Sequence, residues 1–204
     1  MRFLRKTMKQ KVLLVLLNHY ADWEGAFLSS ALHTGVMPGG EIKYEVHTVA
    51  PTPDAICSIG GLRTLPDYTF EHMPKDYTAL VLIGGNRWNS PEAEKVAPLV
   101  QDALNKGKIV GAICSGASFL CSHGFLNNVR HTGNGLEQLR QWGGKQYTNE
   151  SGYVEAQAVS DKNIVTANGV GYLEFTRELL LLLSANSPEA IDQWYDFYKN
   201  GFVR

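Results

Sequence analysis

Lys108-Ile109-Val110-Gly111-Ala112-Ile113-Cys114-Ser115-Gly116-Ala117-Ser118-Phe119 reads as a buried strand that stops at a cysteine and turns at once into a helix. Ile109, Val110 and Ile113 supply the β-branched apolar run, and Ser115, Gly116, Ala117 and Ser118 are small enough for a tight turn. Such a strand-to-helix turn has the form of the nucleophile elbow G-x-S-x-G, with Cys114 at the nucleophile position. The start of a helix offers unpaired N–H groups and partial positive charge, which favour a thiolate and can bind a developing oxyanion. The plainer alternative is a cysteine packed at a strand end, since free cysteine is among the most buried residue types.

On either side of the elbow the chain alternates strand and helix signals. Lys11–Asn18 is a continuous apolar run of strand length. Asp22 is placed to cap the helix after it, with Trp23, Phe27, Leu28, Ala31 and Leu32 at helical spacing and Gly35 as its stop. Ile42–Val49 alternates apolar and polar residues and predicts a second strand, closed by Pro51 and Pro53. Cys57 to Asp67 is short strand and turn material broken by Gly60-Gly61. Ala79–Ile83 predicts a third buried strand that runs into Gly84-Gly85-Asn86, and Ser90-Pro91-Glu92 opens a helix reaching Gly107. After the elbow helix, the pattern predicts a helix over Gly135–Trp142. A hairpin of Tyr153–Val159 with Ile164–Ala167 follows, then a helix over Tyr172–Ser184 and a last helix begun by Ser187-Pro188. This order predicts an α/β fold: a three-layer sandwich with a mostly parallel sheet flanked by helices, flavodoxin-like. No repeat or linker interrupts residues 1–204, which read as a single domain with an N-terminal lead-in at 1–10 and an extra C-terminal helix at 187–204. In open sheets of this kind chemistry gathers beyond the carboxyl ends of the strands. Asn18 to Glu24, Gly84-Gly85-Asn86 and Cys114 all fall there.

Composition narrows the function. With 44% hydrophobic and 19% charged residues and a formal net charge of −1, no basic stripe suits nucleic acid. Three cysteines, Cys57, Cys114 and Cys121, make neither a disulfide framework nor a zinc site, so a reducing, cytoplasmic setting is expected, with no metal and no cofactor. Basic residues precede Val12–Leu17, but six apolar residues ended by Asn18-His19 fall short of the roughly 7–15 of a secretion signal. Leu179 to Leu183 is far short of the ~20 residues of a membrane span, so no membrane partner is expected.

The segments Asp22-Trp23-Glu24, Val81-Leu82-Ile83-Gly84-Gly85-Asn86, Ala112-Ile113-Cys114-Ser115-Gly116 and Thr166-Ala167-Asn168-Gly169 together resemble the ThiJ/PfpI (DJ-one) superfamily, whose fold is class I glutamine-amidotransferase-like. The likeness runs from about Lys11 to Leu183. It implies that Glu24 sits protonated beside the cysteine, and that the backbone N–H groups of Gly85 and Ser115 form an oxyanion pocket entered by the Gly84-Gly85 turn. In isolation Glu24 reads equally as a solvated first-turn residue, and Gly84-Gly85 as a plain turn. The chain departs from the pattern where many relatives carry a histidine directly after the cysteine, because Ser115 stands there. Others carry a histidine after the elbow helix, where direct alignment gives Thr132 and a one-residue slip gives His131. His131 is therefore a candidate base, against the alternative of a surface-loop histidine. No histidine follows it, so the His-x-Glu pair of true amidotransferases cannot be assembled.

By that resemblance the expected function is a cysteine-dependent hydrolase or lyase acting on a small electrophilic molecule or a peptide. Cys114 would be the nucleophile and Glu24 its proton partner. The rival is a redox- or stress-responsive cysteine sensor or chaperone-like protein without turnover, and the plainest reading is a scaffold with a vestigial elbow. A homodimer is implied by relatives, whose contacts include the region of Cys57. Trp194, Tyr195, Phe197 and Tyr198 on the last helix could cover an interface or simply pack.

Overall fold

The computed structural model describes residues 8–201; most of the lead-in and the last three residues of the C-terminal extension lie outside the described residues. In chain order the elements are β1 (Gln10–Val15), α1 (Asp22–Thr34), β2 (Tyr44–Ala50), β3 (Ile56–Cys57), β4 (Arg63–Thr64), β5 (Tyr68–Thr69), β6 (Tyr77–Leu82), α2 (Pro91–Glu94) and α3 (Ala97–Asn105). Then follow β7 (Ile109–Ile113), α4 (Ser115–Ser122), α5 (Leu136–Gly143), β8 (Ala158–Asp161), β9 (Ile164–Ala167), α6 (Tyr172–Leu182) and α7 (Pro188–Asn200).

Among the described residues the main sheet has seven strands in the order β5-β2-β1-β6-β7-β9-β8. Every neighbouring pair is parallel except β8 with β9. Alternation along β1 explains the two covered faces. Val12, Leu14 and Leu16 join the core under α1, α6 and α7, whereas Leu13, Val15 and Leu17 join the core under α3, α4 and α5. A strand buried on both sides reads as one continuous apolar run, as β1 does. The expected three-layer α/β sandwich is therefore present.

Chain direction across the sheet reverses at β1: β2 lies to one side of it and β6 to the other. In open α/β sheets such a reversal is where ligands bind, and here it falls at the carboxyl ends of β1 and β6, beside the end of β7. Gly25 and Gly116 bring helices close to this edge. A Cβ on Gly25 would stand 3.2 Å from Ile83 Cδ1, and one on Gly116 would stand 2.8 Å from the Leu82 carbonyl oxygen.

Several local expectations need correction. The helix predicted from Ser90 to Gly107 is two helices, because Pro98 lacks an N–H and starts a new helix at α3. Asp22 is not the cap of α1. Ala21 holds that position without a side-chain bond, and the Asp22 carboxylate instead accepts from Gly60 N at 2.8 Å. The hairpin is shorter than its apolar pattern, since only Ala158–Asp161 pairs with β9, and residues 153–157 make a single bridge, Tyr153 to His131.

Candidate functional site

Cys114 sits between β7 and α4 with φ 58° and ψ −126°, a conformation that costs a residue with a Cβ of order 1–3 kcal/mol unless its surroundings hold it. They do hold it. Cys114 N donates to Ala167 O at 2.9 Å, and Cys114 O accepts from Ala117 N at 3.1 Å and Ser118 N at 3.3 Å. The strain turns the side chain out from the end of the sheet, as an elbow requires. From the other side, Trp88 Nε1 donates to Ile83 O at 2.8 Å while its ring packs on Phe119 of α4, with centroids 4.9 Å apart. The Gly84-Gly85 turn and the elbow helix are thereby fastened to one another.

Glu24, in the first turn of α1, is 1% exposed. Its Oε2 accepts from Gly84 N at 2.8 Å, whereas Oε1 is buried without a conventional hydrogen-bond partner. Oε1 borders the sulfur: a Cβ on Gly169 would lie 3.0 Å from Cys114 Sγ and 3.3 Å from Glu24 Oε1. Gly84 is required for the same closeness, since its Cβ would stand 2.5 Å from Glu24 Oε2 and 2.7 Å from Cys114 Cβ. Burial pushes the Glu24 carboxyl up to about 7, with the Cys114 thiol and the Gly84 N–H pulling weakly the other way. A buried carboxylate oxygen without a conventional partner among the described residues is relieved by a proton, which turns Oε1 into a donor facing sulfur.

The sulfur itself departs from expectation. Burial and then the charge of Glu24 push the Cys114 thiol up, opposed by the Asn134 amide and the Ser115 N–H. The start of α4 alone therefore does not keep the sulfur ionised. Thiol and carboxyl titrate as a pair, and the Asn134 amide and Ser115 N–H oppose the rise at sulfur without reversing it.

Two other sequence candidates meet in an unexpected way. Gly85 N donates to Ser115 Oγ at 2.9 Å, and that hydroxyl donates back to Gly85 O at 2.7 Å. The expected pair of free amides is thus filled by the chain's own hydroxyl at Gly85, while the Ser115 N–H faces the Cys114 sulfur. Gly85 has φ 154°, and a Cβ there would strike the His19 backbone.

His131 is not brought to the sulfur. It is fully buried, with Nδ1 donating to Val129 O at 2.9 Å and Nε2 accepting from the Tyr147 hydroxyl at 2.7 Å. Burial lowers its pKa, so it is kept as a neutral packing group rather than a solvent-linked base. Thr132, its alternative in alignment, donates to Ala156 O and also faces away. The residue that reaches Cys114 from this segment is Asn134, whose Nδ2 donates to Sγ at 3.3 Å. Its Oδ1 accepts from Gly169 N at 2.8 Å, and Gly169 O in turn accepts from Trp23 Nε1 at 3.0 Å. Asn134, Trp23 and Gly169 are site residues that spacing alone did not single out; Trp23 and Gly169 lie within the segments that carry the resemblance, whereas Asn134 lies two residues beyond Thr132. His123 and Cys121 are held in other contacts: His123 caps the end of α4 and meets Glu94 at 3.1 Å, and Cys121 Sγ donates to Leu139 O at 3.3 Å. Among the described residues no group of three or more His, Cys, Asp or Glu gathers to hold a metal ion, and no helix is long and apolar enough to cross a membrane.

A parallel α/β sheet with a cysteine on a strained strand-to-helix turn, backed by a buried carboxyl, defines an elbow-cysteine protein of the ThiJ type. Residues 10–182 match the model of the DJ-1/PfpI family, and the chain belongs to that family. It is 39% identical over 193 residues to the uncharacterized protease YdeA of Bacillus subtilis, covering 95% of this chain and 93% of that protein. It is also 32% identical to the uncharacterized protease YoaZ of the same organism, covering 93% and 91%. Among solved structures it resembles a thiJ/pfpI family protein from Bacillus anthracis, with TM-score 0.87 and 31% identity over 96% of this chain and 93% of that one. A DJ-1 superfamily protein from Agrobacterium tumefaciens matches with TM-score 0.83 and 31% identity over 95% and 100%.

Proposed function

We propose that this protein is a cysteine-dependent hydrolase or lyase acting on a small electrophilic carbonyl compound. The observation that carries the reading is the buried Oε1 of Glu24, without a conventional hydrogen-bond partner and beside the Cys114 sulfur. In the first step the thiolate attacks the carbonyl carbon, a C–S bond forms, and the C=O π pair moves to oxygen. In an aldehyde that oxygen takes the proton from Glu24 and gives a hemithioacetal, released by the reverse step. In an ester the C=O re-forms as the alcohol leaves with the Glu24 proton. Water then attacks the thioester, giving a proton to the Glu24 carboxylate as the C–S bond breaks and the thiolate departs. The substrate oxygen displaces the Ser115 hydroxyl from Gly85 N. A single shared proton suits reversible addition better than amide cleavage, which must also protonate an amine leaving group.

The test is turnover of methylglyoxal, a simple ester and a peptide by the wild type and by Cys114→Ser. Carbonyl or ester turnover that Cys114→Ser abolishes is expected; turnover unchanged by the substitution would remove Cys114 from the reaction. The sensor reading has one specific support. Asn134 Nδ2, the Ser115 N–H and a protonated Glu24 give donors for the oxygens of a sulfinic acid. Peroxide titration followed by intact mass, with selective oxidation at Cys114 and no turnover, would favour it. We include a homodimer in the proposal, since Leu62 and Leu65 are 62% and 72% exposed beside the β3–β4 turn near Cys57.

A further inference from the structure

We propose that Asn134 is a catalytic residue of this site, its side-chain amide serving as the fixed donor that stabilises the anion of the reacting sulfur. The inference rests on the reading of Cys114 as reactive and deepens it. Three observations carry it. The Nδ2–H donates to Sγ at 3.3 Å, and among the described residues it is the side-chain N–H that reaches the sulfur within hydrogen-bond geometry. The amide cannot rotate away freely, because its Oδ1 is held by Gly169 N at 2.8 Å. Gly169 is held in turn by Trp23 Nε1 at 3.0 Å, so the exposed indole braces the loop that orients the amide. Meanwhile the nearest histidine of the segment, His131, has both ring nitrogens engaged in the core.

The chemical consequence differs from that of an imidazole. An amide donates a hydrogen bond to the thiolate without titrating, so it favours the charged sulfur over the whole working range. It neither accepts nor releases a proton. The reactivity of Cys114 should then follow the thiol–carboxyl pair alone, with no further limb from a histidine in its pH profile.

Asn134→Asp separates this role from a structural one, since the carboxylate keeps the acceptor for Gly169 N while replacing the donor to sulfur with an anionic oxygen. The experiment is the rate of Cys114 alkylation by iodoacetamide against pH, read by intact mass, in the wild type, Asn134→Asp and Trp23→Phe. The Trp23 indole N–H resonance reports the loop in the first two. The expected result for Asn134→Asp is a rate at pH 7 lower by at least about tenfold and a profile moved to higher pH, with the indole resonance in place. Trp23→Phe, which keeps the donor, should move the profile much less. An Asn134→Asp profile superimposable on the wild type overturns the proposal, as does an equal shift in Trp23→Phe, which would assign the effect to the loop. If wild-type Cys114 stays unmodified in the folded protein across the whole pH range, the reading of the site itself fails together with this one.

Discussion

Replacing Glu24 by glutamine should reverse part of the protein's dependence of stability on pH. The carboxyl is pushed from 4.5 up to about 7 in the folded protein, chiefly by burial. Because the folded-state value is the higher one, the native state binds the extra proton between these limits. The stability it contributes is full below the unfolded value and is lost as pH rises through about 7. Integrated from pH 5 to pH 8, the loss is about 2–3 kcal/mol at ~1.36 kcal/mol per unit. Glutamine preserves the shape and the acceptor for Gly84 N, and places an N–H where Oε1 faces sulfur. Urea unfolding of the two proteins at pH 5 and pH 8 isolates the titration of Glu24 with its partner Cys114, because the titrating groups that do not touch the pair cancel in the difference. The wild type should lose about 2–3 kcal/mol relative to Glu24→Gln between the two pH values. A difference that stays flat, or that changes in the opposite sense, would mean Glu24 is an ordinary ionised carboxylate in the fold.

The remaining expectations follow from placement. His131→Phe should leave the Cys114 alkylation profile unaltered while costing about 2–3 kcal/mol in urea unfolding, through the lost bonds to Val129 O and the Tyr147 hydroxyl. Since the His131 pKa is lowered in the fold, its stabilising share should fade as pH drops below 6.5, and a changed alkylation profile would restore it as a base. Gly84→Ala should separate the pair, because the new Cβ would meet Glu24 Oε2 at 2.5 Å and Cys114 Cβ at 2.7 Å; about 1–3 kcal/mol of stability should go and the Cys114 alkylation profile should shift. Cys121, pushed up to about 12 by burial, should resist iodoacetamide until the chain unfolds, and native-state labelling at a rate like that of Cys114 would contradict its place under α5. Leu62→Asp with Leu65→Asp should convert a sedimenting dimer to monomer without loss of helix content; a monomeric wild type would remove the dimer.

The elements nearest the chemistry were legible because short-range physics sets them. The β-branched run before Cys114 and the small residues after it can make little other than a strand and a tight helical start. The unbroken apolar run of β1 announced a strand covered on both faces. What escaped depended on contacts distant in sequence. Asp22 looked like a cap because nothing local reveals that Gly60 N will claim its carboxylate. The segment from His131 to Asn134 could not be registered by pattern, since a loop between α4 and α5 has no period. The group that reaches sulfur proved to be three residues beyond the histidine. Ser115 was chosen for its backbone N–H, yet its hydroxyl is what occupies Gly85, a side-chain rotamer that sequence does not encode. The sign of the Cys114 shift was missed for a related reason: a helix start lowers a thiol in the open, but here burial and a carboxylate neighbour outweigh it.

The most direct measurement is infrared difference spectroscopy of the carboxyl C=O stretch across a pH titration, wild type against Glu24→Gln. A protonated-carboxyl band absent from Glu24→Gln, persisting through pH 6 and fading with a midpoint near the value of about 7, is the predicted result. A Glu24 band that disappears with the exposed carboxylates, near their ordinary 4.5, would contradict a proton held beside the Cys114 sulfur.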